Sequence, residues 1–333
     1  MRNEQTRYPS IPVRFLIVAV AVIMTLCAAA SPALARQIYV NNQSGDDQFN
    51  GRQAQPTPGG EGPFRTIGAA LEVAGPSDEV YIANTGVPYH ESITLGGKNR
   101  SGIEGFPFRL IGDGAVLDGS VPVPEEAWEH FKGPTFRFQP KGQHFNLLFL
   151  DGRPAAEVIV PIEAGGPPEL NAFEWCHTNG YIYFRCEDTK LPSDYNLSYA
   201  KLDTGITLYH VNHVDIMDLT IQGFRVDGIS AINTAREVTL VGCTMRGCGR
   251  SGLTVGGASI VSVNASLIGN NGRSQILTLP SSKTIVRNSN ILGNTAPAWV
   301  DKGGLFYEGD FQIKGGREVI KPEGADEEEP AKQ

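Results

Sequence analysis

The stretch "DGISAINTAREVTLVGCTMRGCGRSGLTVGG" (residues 227–257) carries no catalytic signature, but it has a rhythm. "DGI" at 227–229 is answered 24 residues later by "SGL", and each triplet opens a short apolar run and a Gly-closed turn. Working outward, four segments align without gaps: "VDIMDLTIQG" (214–223), "VTLVGCTMRG" (238–247), "IVSVNASLIG" (260–269) and "TIVRNSNILG" (284–293). Their closing glycines lie 24, 22 and 24 residues apart. Positions one, three, six and eight of the first two rows are Val214, Ile216, Leu219 and Ile221, then Val238, Leu240, Cys243 and Met245. The gapless alignment gives Ile260, Ser262, Ala265 and Leu267, then Thr284, Val286, Ser289 and Ile291. Local alternation of period two is strand, not helix. Second strands fall between the rows at "GITLY" (205–209), "GISAI" (228–232), "GLTVG" (252–256) and "ILTLP" (276–280).

A period this short has few physical solutions. A propeller blade needs about 40 residues, and leucine-rich repeats carry a Leu/Asn ladder absent here. One rung cannot bury its own apolar face, so rungs stack and equivalent side chains pile into a continuous core. The expectation is a parallel β-helix, an all-β solenoid.

Composition agrees. The 333 residues include 39 Gly and 22 Pro, a turn-rich balance, and 41% are hydrophobic, enough for a sizeable core. Arg2, Arg7 and Arg14 precede an apolar run from Phe15 to Ala30, and "SPALA" ends at Ala35. This predicts a signal peptide over 1–35, because 16 apolar residues fall short of the roughly 20 that span a bilayer. The expected location is secreted, periplasmic or cell-surface. Net charge is −8, and removing residues 1–35 takes away three Arg and one Glu, leaving about −10. That argues against nucleic acid or an anionic membrane as partner. The exported chain keeps Cys176, Cys186, Cys243 and Cys248, which allow two disulfides in three pairings, although Cys243 falls on a core position. A monomer is expected.

"IYVNNQSGDDQFNG" (38–51) and "GPFRTIGAALEVAGPSDEVYIAN" (62–84) resemble the N-terminal region of secreted right-handed β-helix proteins of the pectate-lyase-like superfamily, a resemblance that implies a right-handed parallel β-helix. There, an extended strand and an Asp/Gly loop lead into an amphipathic helix and the first rungs. The helix also stands on its own residues, since Phe64, Ile67, Leu71 and Ala74 share one face that can cover the open solenoid end. The first rungs are then "EVYIAN", "SITLGG", "FRLIGDG" and "AVLDGS". The resemblance runs from about residue 37 to residue 305. It implies the fold more than the activity, because the superfamily holds lyases, hydrolases, epimerases and non-catalytic modules.

The rhythm breaks over residues 121–200, where antiparallel patterns and the hairpin turn "NG" at 179–180 predict an inserted β module. Its "LFLDGRPA" (148–155) resembles a module found in several β-helix glycosidase-like families. The expected organisation is a signal peptide (1–35), a cap with first rungs (36–120), the insert (121–200), the main rungs (201–310), and a C-terminal cap with a disordered acidic tail (311–333). The insert is either a decoration or one wall of a groove, with Trp128, Trp175, Tyr181 or Tyr183 available to stack on sugars.

A 24-residue offset places Asp227, Ser251 and Gln275 in one column continued by Trp299, with Arg225, Arg250 and Arg273 beside it. Guanidinium groups bind carboxylates in a bidentate manner, so this ladder is suited to an acidic polysaccharide. Asp227, Arg250 and Arg273 are the candidate catalytic residues; Arg225, Ser251, Gln275, Trp299 and Trp175 are the candidate substrate contacts. β-Elimination needs a base and a cation, often calcium in the enzymes the chain resembles. Glycoside hydrolysis needs two carboxyl groups, and no second one sits on an equivalent rung. The alternative is a non-catalytic carbohydrate-binding or surface-structural module, in which these charges pair internally and lie outside any concavity. No metal site is expected from His210 and His213. "SGDDQFNG" (44–51) keeps calcium open as a cofactor through Asp46, Asp47 and Asn50.

Overall fold

Asp218, Gly242, Ala265 and Asn288 share a left-handed backbone, with φ between 48° and 64°, and this recurring corner turns the chain from one sheet to the next. A computed structural model describes residues 35–314 and 318–320; the expected signal peptide, apart from Ala35, and the expected acidic tail past residue 320 lie outside the described residues. Each rung runs through three sheets in order. Thr204–Tyr209 belongs to sheet I, Asn212–Met217 to sheet II and Thr220–Gln222 to sheet III. The next rung repeats them as Asp227–Asn233, Arg236–Val241 and Thr244–Arg246. Two more follow, beginning at Ser251–Val255 and Ser274–Thr278. Neighbouring rungs pair in parallel throughout this stretch.

The expected first rungs are present as Glu79–Ile82, Ile93–Gly96, Phe108–Ile111 and Val116–Asp118. The helix α1 (Ile67–Val73) starts at Thr66, whose side chain caps the Ala69 amide, and it buries Ile67, Ala70 and Leu71. Phe64 and Ala74 are buried with them, so the helix closes one end of a core continuous from Ile38 to Phe306. Asp47 accepts from the Arg65 and Thr66 amides and Asn50 from the Arg52 amide, which makes "SGDDQFNG" a loop held by its own hydrogen bonds.

The third rung corrects the gapless alignment. Val238 pairs with Val261 and Leu240 with Val263, so the rung-to-rung step there is 23 residues. Val261, Val263, Ser266 and Ile268 face the core, whereas Leu267 is 39% exposed. Closing glycines are not equivalent at this rung, because Gly269 pairs with Arg246 and not with Gly247. With a side-chain period of two, that single-residue slip exchanges the inner and outer faces.

Between Asp118 and Thr204 the chain leaves the solenoid. One antiparallel sheet contains Ser120–Pro122, Leu148–Leu150, Arg153–Pro154 and Leu197–Ala200. A five-stranded sheet is built around the hairpin Glu174–Thr178 and Tyr181–Arg185, turned by Asn179 and Gly180 at φ 50° and 80°. Both residues at positive φ are what a two-residue hairpin turn of this twist demands. The insert has its own core around Phe138, Leu148, Trp175 and Phe184. At the other end, Leu305–Glu308 and Phe311–Lys314 form an antiparallel pair on sheet II. Among the described residues, no helix is long and apolar enough to cross a membrane.

Candidate functional site

The sequence-predicted ladder is brought together, but as a docking seat. Asp227 pairs with Ser251 across one rung as expected. The column then passes to Ser274 and not Gln275, and Trp299 pairs with Ile276, because the step after Ser251 is 23 residues. Asp227 is fully buried and receives both arms of Arg250, Nε at 3.0 Å and Nη2 at 2.5 Å, together with the Ser251 hydroxyl at 2.9 Å. The hydrogen bond to Asp227 holds the Arg250 guanidinium above its ordinary value, against the effect of burial. Gln275 is also fully buried, its side-chain carbonyl accepting from Asn271. Trp299 stacks on Phe306 with centroids 4.6 Å apart.

Each arginine of the ladder reaches toward the insert. Arg225 is held by Asp203 and donates to the His144 carbonyl at 2.8 Å. Arg250 lies 6.0 Å from the Phe145 ring centroid. Arg273 meets Glu157 at 3.6 Å, where burial raises the carboxyl above its usual range and Arg273 opposes that rise. Gly249 sits so close beneath this seam that a Cβ there would lie 1.9 Å from the Phe145 carbonyl oxygen. Trp175 is fully buried in the insert core and donates to the Ala155 carbonyl, so it offers no stacking face. Tyr183 is buried as well, and Arg137 lies 4.4 Å from the Tyr181 ring centroid.

None of the three proposed catalytic residues lines the cleft that does form between solenoid and insert. That cleft, about 500 Å³, has two walls. One is the edge of sheet III, where Asp118, Gln222 and Arg246 occupy the same strand position in three successive rungs. They are joined by hydrogen bonds: Gln222 donates to Asp118 at 2.8 Å and Arg246 Nε donates to Gln222 at 2.9 Å. Asp118 also accepts the Ser120 amide at 2.8 Å and is nearly buried, which fixes its carboxylate at the floor. Asn270, at φ 58°, extends the wall and exchanges hydrogen bonds with Asn294 one rung further on.

The facing wall is the insert's tight turn Asp151-Gly152, flanked by Phe149, Arg153 and Pro154. Leu150 and Arg153 pair across it, with Asp151 at φ 51° and Gly152 at φ 71°. This turn carries Asp151 and Arg153 out over the solenoid. Among the described residues neither has an ion-pair partner, and the Arg246 guanidinium has only the neutral Gln222. The cleft therefore presents two carboxylates from opposite walls, two guanidinium groups and two amides, with the buried Phe149 packed behind it.

The sequence reading missed these residues, although a signal existed. Asp118-Gly119, Gln222-Gly223 and Arg246-Gly247 each set a polar residue just before a closing glycine. The four cysteines are free and buried, so neither disulfide is formed. Burial pushes the Cys176 and Cys243 thiols up to about 11 and Cys186 up to about 12, which removes them as nucleophiles at neutral pH. No group of three or more His, Cys, Asp or Glu side chains among the described residues could hold a metal ion. His210 and His213 both have a left-handed backbone, at φ 52° and 49°.

A family model described as "Right handed beta helix region" matches residues 204–314, the same stretch in which the rungs stack. The protein is a right-handed parallel β-helix. The capping helix and first rungs expected from residues 38–84 are present in the same fold. A structure of XylC in complex with xylose is similar, at 14% identity and TM-score 0.52, covering 77% of this chain and 58% of that one. The pectate lyase Pel9A aligns at 14% identity and TM-score 0.40, over 84% of this β-helix and 64% of that chain. A GH136 lacto-N-biosidase from Eubacterium ramulus aligns at 9% identity and TM-score 0.37, over 89% and 60%. The β-helix thus spans less than two thirds of the length of each, and at these identities the likeness is one of fold. No curated protein sequence matches the chain.

Proposed function

We propose that this β-helix is an exported protein that recognises an acidic polysaccharide in the cleft between sheet III and the insert. The observation that carries the reading is the contrast in charge pairing. Every acidic or basic group of the Arg225–Arg250–Arg273 seam has a counter-ion, whereas Asp151, Arg153 and Arg246 face one concavity with none among the described residues. Guanidinium groups placed this way suit the carboxylates of a uronate chain, and Gln222 and Asn270 suit sugar hydroxyls. The export half of the proposal rests on the Arg-led apolar segment at residues 14–35.

Cleavage is the finer form of the proposal. Asp118 and Asp151 line the same space from opposite walls, which supplies the pair of carboxyl groups, about 5–9.5 Å apart, that glycoside hydrolysis needs if the two approach that closely over a bound sugar. The test uses full-length protein on affinity gels of acidic and neutral polysaccharides, with reducing ends and unsaturated uronate ends followed in solution. Retention on acidic gels alone, weakened about tenfold by Arg246→Ala at an unchanged unfolding temperature, is the expected result, since a charged hydrogen bond contributes roughly 1.5–3 kcal/mol. Equal behaviour of Arg246→Ala and wild type on every gel removes the cleft as the site. Product release abolished by Asp118→Asn or Asp151→Asn makes the protein an enzyme; retention without release makes it a binding module.

A further inference from the structure

Phe173 has an unusual backbone for its size. It sits at φ 69°, in the left-handed region that bulky residues rarely occupy, and its side chain is 37% exposed. Its position is fixed from two sides: its amide donates to the Arg185 carbonyl at 2.8 Å, and its ring meets Tyr195 at right angles, 5.8 Å between centroids. A second concavity of about 500 Å³ opens beside it, lined by Leu150, Asp151, Arg153, Pro154 and Phe173. Asp151, Arg153 and Pro154 line the main cleft as well, so the two concavities lie on either side of one hairpin turn.

We infer that Phe173 is the stacking platform of a second saccharide subsite, reached by a chain that lies in the main cleft and crosses the Asp151–Pro154 turn. The inference rests on the cleft being the polysaccharide site and adds its length and direction. An aromatic ring held partly exposed at a backbone cost is suited to the apolar face of a pyranose. Arg153, common to both concavities, can hold a uronate carboxylate on either side of the turn. The occupant is thus a further uronate ring of the same chain, continuous with the one over Gln222 and Arg246. Short oligomers fill the main cleft alone, and only longer ones reach Phe173.

Titration calorimetry of the full-length protein with galacturonate and mannuronate oligomers, two and six residues long, tests this. Phe173→Ala is expected to weaken the six-residue oligomer about three- to tenfold, the range of one lost aromatic contact. Binding of the two-residue oligomer is expected to stay within about twofold. Phe173→Trp, which keeps a ring, is expected to restore long-oligomer affinity. Phe173→Gly, which accepts the left-handed backbone, is expected to lose that affinity as Phe173→Ala does, so that backbone strain cannot account for the loss. Equal affinity of wild type and Phe173→Ala for both lengths overturns the subsite and leaves the cleft standing. A uniform loss at both lengths also overturns it, since the ring is then not specific to the longer chain. Absence of any oligomer binding by wild type removes the cleft and the subsite together.

Discussion

Asp227 on a rung of the solenoid and Asp151 on the insert's turn differ in whether a counter-ion is already present. Asp227 is enclosed by Arg250 and Ser251; Asp151 stands exposed at a turn. Removing the Asp227 carboxylate leaves a guanidinium and a hydroxyl without their acceptor, a change that costs more than the pair itself contributes. Asp227→Ala is therefore expected to lower stability by about 3 kcal/mol, the low end for a broken buried pair, because Arg250 keeps 29% of its side-chain surface in water. Urea unfolding measures that loss, and retention on an acidic polysaccharide per folded molecule is expected to stay unchanged. Reduced retention at wild-type stability would return Asp227 to the binding site. The pairing itself was legible, since a rung offset of about two dozen residues sets Arg250 beside Asp227. Which polar corner faces water was not legible, because the insert that covers this corner comes from distant sequence. The Asp118–Gln222–Arg246 column was open to reading and was passed over, hidden by an 80-residue interruption in the repeat after Asp118.

The strand and the hairpin are the elements that place the cleft, and both are set by local chemistry. Asn179-Gly180 and Asp151-Gly152 are turn pairs that accept positive φ, so the insert's hairpins follow from the sequence directly. Docking of the insert does not, because it depends on a seam of three arginines, a close approach at Gly249 and one partly buried carboxyl. Glu157 makes that seam sensitive to pH. Burial raises its folded-state value above the ordinary 4.5, against the pull of Arg273, so the folded chain holds a proton that the unfolded chain has lost. Stability linked to this group is present below the unfolded value and falls as pH rises from 4.5 through the folded value. Glu157→Gln removes the titration and is expected to flatten that part of the pH profile. The check is the urea midpoint of both proteins below pH 4.5 and at neutral pH. Parallel profiles for the two would show that Arg273 compensates burial fully. The third rung shows the limit of reading elements by punctuation: aligning closing glycines shifted Val261 and Val263 off the core, whereas aligning apolar parity alone keeps them in.

At the scale of the molecule, the stacked rungs make stability a matter of neighbours. Val263 and Val286 pair across successive rungs of sheet II, and both are buried. Each loses the same groups on change to Ala, about 2 kcal/mol from burial and residual cavity. Their settings differ, however. Val263 lies between rungs of the repeat, whereas beyond Val286 the described part of sheet II continues with Leu305–Glu308 and then the antiparallel strands Phe311–Lys314 and Glu318–Ile320. Leu292, Leu305 and Phe311 are each at least 40% exposed, so the last turns bury less apolar surface than the middle ones. In a solenoid whose rungs contact only their neighbours, a weak end opens locally while the middle holds. Val286→Ala is therefore expected to speed amide hydrogen exchange from about residue 283 onward, with the rungs before Ser251 unaffected. Val263→Ala is expected to speed exchange on both sides of its rung and to lower the global midpoint further. Uniform acceleration along the whole chain by both variants would mean that the solenoid and its insert open as one unit. The seam of Arg225, Arg250 and Arg273 would then bind the rungs into a single cooperative block, and the cleft would persist only while every rung is folded.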